Sequence, residues 1–144
     1  MFRRAQVAAA ADNWALAYRT LKIAREHDPH DARMMALEGW VIFNMPYDNQ
    51  ERQYRICKEH LQSALTIQPD LPEAFYYLGR MAESRYDFED AAQAYQRALA
   101  HNPDYLEARK MLERLERRGV IIQPDTGKED SKGVLNRLMS WLDS

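Results

Sequence analysis

With a single cysteine the chain can form no internal disulfide, and with only five glycines among 144 residues, 46% of them hydrophobic, it has the makings of one helical core. No apolar run approaches the roughly 20 residues of a transmembrane helix. Charge of neither sign dominates, since 20 Lys and Arg face 22 Asp and Glu for a formal net charge of −2, so nothing in the balance calls for nucleic acid. Also missing are a glycine-rich phosphate loop, a Gly-x-Ser-x-Gly elbow and a Cys-x-x-Cys pair. The N-terminus lacks the continuous apolar segment of a secretory signal, and Arg3, Arg4 and the alanines after them fit an amphipathic helix instead. The expectation is a cytoplasmic, non-enzymatic protein with no cofactor and no metal.

What the chain has in abundance is helical periodicity, written most fully between Pro72 and Pro103. Phe75, Leu78, Gly79 and Ala82 share one face of a first helix, and Ala91, Tyr95 and Ala98 share one face of a second. Gly79, Ala91 and Ala98 remove bulk where two backbones approach, so that Phe75, Leu78 and Tyr95 can interlock. Arg85, Tyr86, Asp87 and Phe88 make the turn between them, and Pro103 closes the unit. This stretch resembles a tetratricopeptide repeat (TPR), whose pattern runs aromatic-x2-Leu-Gly-x2-small, then Ala-x3-aromatic, then Pro.

The pattern recurs. Pro69-Asp70 and Pro103-Asp104 are 34 residues apart, the period of that family, and Asp28-Pro29 opens the same phrase once more. Ala24, Ala64 and Ala98 each precede their proline by five residues, and Ala17, Cys57 and Ala91 lie seven residues further back. The resemblance therefore implies an all-α, TPR-type solenoid over 1–119, with repeats at about 1–31, 32–71 and 72–105 and a capping helix at 106–118. The second repeat is six residues too long, and its surplus is expected around Asn44 to Asn49, with Pro46 ending one helix and the next starting near Arg52. In the capping helix Leu106, Leu112 and Leu115 are expected to face inward.

Chemical readings of the polar residues are weaker than structural ones. Cys57 occupies a slot that alanine fills in the neighbouring repeats, which reads as packing and not as a redox group. His27 and His30 lie beside Asp28 and Asp31, but they straddle an inter-repeat turn where polar residues belong. Glu89, Asp90, Glu113 and Glu116 lie on solvated faces, with no pocket to shift their pKa values. Arg109, Lys110, Arg114, Arg117 and Arg118 alternate with Glu107, Glu113 and Glu116, the signature of a solvent-laced helix.

In the TPR family the first helices of successive repeats line a groove that holds a peptide or helix of another protein. Carried onto this chain, the resemblance places Arg33, Ala36, Trp40 and Phe43 on the groove side of the second repeat, and Glu73, Tyr76, Arg80 and Glu83 on that of the third. The capping helix adds Lys110 and Arg114. Aromatic and arginine side chains dominate interface energies, so Arg33, Trp40, Phe43, Tyr76, Arg80, Lys110 and Arg114 are the candidate partner-binding residues, with Trp40 the first choice as anchor. One TPR subgroup clamps the terminal carboxylate of chaperones with lysine and asparagine. The matching positions here hold Phe2, Gln6, Leu37, Glu73 and Tyr77, which argues against such a clamp. Some likeness also extends from Trp14 through Ala24 to helical repeats of multidomain bacterial proteins.

The C-terminal segment differs in kind. Residues 123–132 are polar, so 120–132 reads as a linker, and 133–144 form a short amphipathic helix with Val134, Leu135, Leu138, Met139, Trp141 and Leu142 on its apolar side. A helix of about 12 residues is marginal alone in water, so it must dock on something. Its own solenoid in cis, a second copy in trans and a partner protein all remain open, and a membrane surface is disfavoured because Arg137 and Lys132 are the only cations near its polar face. The functional expectation is an adaptor or scaffold holding a partner's peptide or helix in the groove. The C-terminal helix then serves as a second contact or as a competitor, with weak homo-oligomers as an option. The rival reading is a structural subunit of a larger assembly, or a chaperone of assembly.

Overall fold

Each of the three proline phrases falls two residues beyond the end of a helix in the computed structural model, which describes residues 1–46 and 49–143. The helices run α1 (Phe2–Ala10), α2 (Trp14–His27), α3 (Ala32–Asn44), α4 (Gln50–Ile67), α5 (Pro72–Ser84), α6 (Phe88–His101), α7 (Leu106–Arg117) and α8 (Ser131–Leu138), followed by a 3-10 turn, Ser140–Asp143. All regular structure among the described residues is helical. The chain divides into two compact units, Met1–Gln68 and Pro69–Ser144.

In the first unit, α1 pairs with α2, α3 pairs with α4, and α2 also packs on α3. Local chemistry sets the helix starts. The side chains of Asn13, Asp31 and Asn49 accept backbone N–H groups that the first turns of α2, α3 and α4 would leave unpaired. Asp12 adopts φ 59° in the turn before α2, a left-handed conformation that a short polar residue tolerates. The core joins Ala5 and Ala8 of α1, Ala17, Leu21 and Ala24 of α2, and Tyr54, Cys57, Leu61 and Ala64 of α4 around an almost wholly buried α3. Gly39 permits that burial, because a Cβ there would lie 2.7 Å from the Cβ of His60.

The six surplus residues of the second repeat are not confined to the connection. Four of them extend α4 to 18 residues, against 14 in α2 and α6. The helix accordingly starts at Gln50, ahead of Arg52, because Asn49 caps it. The added turn supports the end of α3, where the buried Gln53 donates its side-chain amide to the Ile42 and Phe43 carbonyls at 3.3 Å, and also to that of Met45. These are acceptors that the end of α3 would otherwise leave unmatched. Tyr47 and Asp48 lie outside the described residues.

In the second unit, α5 and α6 form the interlocked pair that the periodicity implies. Phe75, Leu78, Gly79, Ala82, Ala91, Tyr95 and Ala98 are all buried, and a Cβ on Gly79 would come within 2.7 Å of Cδ1 of Tyr95. Helix α7 packs on α6 through Ala108 and Leu115, one heptad apart. Leu112 is half-buried, but Leu106 is exposed, contrary to the inward stripe expected of all three leucines. Two residues on a helix turn through about 200°, so a stripe through Ala108 must leave Leu106 on the far side.

Candidate partner-binding surfaces

In the first unit an aromatic cluster forms where α2, α3 and α4 meet. Trp40 stacks on Phe43 at 5.5 Å between ring centroids and takes the edge of Trp14 at 6.4 Å, while Phe43 meets Tyr54 at 4.8 Å. Trp40 is only 8% exposed and Phe43 is half-buried, so most of their area is spent on each other. Arg33 lies on the surface, with its guanidinium 4.9 Å from the centre of the Phe2 ring.

Two residues before Trp40, and so on the other side of α3, Glu38 is buried among cations. Its carboxylate takes a hydrogen bond from the Arg25 guanidinium and lies 3.3 Å from Lys22 Nζ and 3.7 Å from His60 Nε2. Burial alone would raise its pKa, but His60 and then Arg25 outweigh that and hold it at about 2. Burial pushes the His60 imidazole down, yet Glu38 and the Ile56 carbonyl, 2.9 Å from Nδ1, leave its pKa raised overall. Nothing in the sequence marked Glu38, because a single glutamate in an apolar helix gives no sign of its partners. Cys57 is fully buried nearby on α4, and burial raises its thiol pKa far enough to silence it as a nucleophile. Among the described residues no group of three His, Cys, Asp or Glu side chains is placed to hold a metal.

In the second unit three of the named residues come together on one surface, where α5 meets α7. Tyr76 stacks on Tyr105 at 5.3 Å and meets Tyr77 at 5.8 Å, and Arg80 donates to its hydroxyl at 3.0 Å. Glu83 ties the patch to its support, accepting from the Tyr95 hydroxyl on one oxygen and from Arg114 on the other. Lys110 lies exposed one turn before Arg114 on α7. Tyr105 joins these residues although no spacing rule singled it out. It precedes α7, outside any periodic face, and only its aromatic type could have drawn notice.

The C-terminal helix docks within the same unit, on the other side of α5. It starts at Ser131, two residues ahead of Gly133, because the Asp130 carboxylate caps the Gly133 N–H at 2.7 Å. Val134, Leu135, Leu138, Met139 and Leu142 are buried, and Trp141 is half-buried with the Arg85 guanidinium 3.2 Å from its ring centre. The Ser131 hydroxyl donates to the Pro69 carbonyl. The preceding segment is pinned as well, since Arg97 pairs with Asp125 at 2.9 Å and the Asp125 N–H donates to Gln96 at 2.8 Å. On α5 the residues meeting α7 (Tyr76 and Glu83) and the residue at its end meeting Trp141 (Arg85) lie on different faces of the helix.

Residues 72–105 match the model of one protein family, described as tetratricopeptide repeat. No curated protein matches the chain.

Proposed function

We propose that this chain, which belongs to the tetratricopeptide repeat family, is a protein-binding module whose second unit holds an extended peptide of a partner across the Tyr76 patch. Membership of the family supports a role in protein–protein interaction in general. The observation carrying the finer reading is Tyr76 itself: a half-buried aromatic stacked on Tyr105 and hydrogen-bonded by Arg80, held by α5 and α7. Rigid helices that pre-position aromatic and arginine side chains lower the ordering cost of binding, which is where small interfaces win or lose affinity. Lys110, exposed one turn before the Arg114 that pairs with Glu83, extends the patch with positive charge, favouring a peptide with an acidic residue beside an apolar one. The C-terminal helix, resting on Arg85 and Pro69 and led in by a segment that Gln96 and Arg97 hold through Asp125, acts in this reading as a clasp on the unit that carries the patch, and not as its competitor.

A random-peptide display library panned against the full chain tests the reading. Peptides enriched on the wild type should lose at least tenfold in affinity for Tyr76→Ala or Arg80→Ala and keep it for the exposed control Thr66→Ala. Equal affinity for all three variants would remove the patch from consideration.

A further inference from the structure

The turn between α5 and α6 places an aromatic residue where the backbone does not want one. Tyr86 adopts φ 64° and is 80% exposed, whereas the same slot in the turn between α1 and α2 holds Asp12 at φ 59°. Asp, Asn or Gly suits that left-handed conformation, and a tyrosine there costs stability while its ring gains little from burial. Tyr86 adjoins an open cleft of about 540 Å3 with Val120 and with Ile121, which is 67% exposed. Glu89, Asp90 and Asp87, the last paired with Arg85 at 3.3 Å, line the same cleft, so its apolar residues stand beside carboxylates.

The first unit carries a surface of the opposite sign. Between α1 and α2 an apolar cleft of about 530 Å3 is lined by Val7, Ala8 and Leu16, with Arg3 and Arg4 at its edge. Val7 is 61% exposed, and both arginines are exposed. Each surface combines exposed apolar side chains, Val7 on one and Tyr86 and Ile121 on the other, with charges of opposite sign, and these are the two respects that select a partner surface.

We infer that these surfaces bind each other between two copies of the chain, the Arg3 and Arg4 face of one docking on the Tyr86 and Ile121 face of the next. Such a contact is heterologous, because each copy offers a different face. A patch of this size makes a weak, reversible association that depends on concentration and weakens with salt.

The test uses sedimentation equilibrium of the full chain from roughly 10 µM to 1 mM. The wild type should rise above its monomer mass of 16.9 kDa, and Val7→Asp and Ile121→Asp should each stay at that mass while keeping wild-type helical circular dichroism. Each variant retains one intact face, so an equimolar mixture of the two should form dimers and nothing larger. Arg4→Glu should weaken association at least tenfold, and adding Glu89→Arg to the same chain should restore it. A wild type that stays monomeric throughout overturns the inference. So does either aspartate variant associating as the wild type does, or a mixture that does not pair.

Discussion

The Glu38 carboxylate, 2% exposed, lies 3.7 Å from the ring nitrogen of His60, with Arg25 and Lys22 completing its shell, so three helices of the first unit meet on one buried negative charge. Removing that charge leaves the Arg25 guanidinium partly buried without its carboxylate. Glu38→Gln should therefore cost about 3 kcal/mol of first-unit stability, the magnitude typical of breaking a buried pair from one side. Urea denaturation followed by Trp14 and Trp40 fluorescence in a Trp141→Phe background reads it. A loss below about 1 kcal/mol would mean that the cluster is solvated and dispensable.

The same pair sets a pH window. Glu38 titrates near 2 in the folded chain against an ordinary 4.5, so its contribution is complete above about 4.5 and fades as pH falls towards 2. His60 is raised above its ordinary 6.5, so its contribution is complete below that value and fades as pH climbs through the folded pKa. First-unit stability should peak between about 4.5 and 6.5, and Glu38→Gln should flatten both limbs. An unchanged profile in the variant would place the pH dependence elsewhere.

Trp40→Ala removes the centre of a four-ring cluster that ties α2 and α4 to α3. The expected loss is about 3 to 5 kcal/mol. Thermal unfolding checks it, and a melting temperature within a degree or two of the wild type would show that the ring can leave the cluster freely.

Leu135 on α8 is fully buried. Leu135→Ala should weaken docking by about 2 to 5 kcal/mol and release α8 locally, since a helix this short does not persist undocked. Hydrogen exchange should then show the Val134 and Leu138 amides at open-chain rates while α6 stays protected. Full protection at those amides would mean that other contacts hold the helix.

The α5 and α6 pair was legible in the sequence because each level agreed there: small residues faced large ones, the turn was short, and Gly79 met Tyr95 as its position in the pattern required. Helix α3 was legible as a helix but not as a surface. Eight consecutive residues from Met35 to Ile42 are buried, all of them but Glu38 apolar or glycine, and such a helix gives the wheel no face to choose. The apolar side of α8 could be read directly from its spacing. Its seat could not, because the groups that receive it, the Pro69 carbonyl and Arg85, stand at the two ends of α5 and look like ordinary turn residues until something is set against them. The four-residue extension of α4 was hidden for another reason: an inserted turn and a longer loop have the same length on paper, and only Gln53 reaching back to the end of α3 tells them apart.

Cys57 turns the first unit into its own stopwatch. The only thiol in the chain lies at the centre of the α3 and α4 contact, and the second unit has none. A disulfide reagent can reach it only when those helices part. The labelling rate therefore counts openings of one half of the molecule while remaining blind to the other, without an engineered probe.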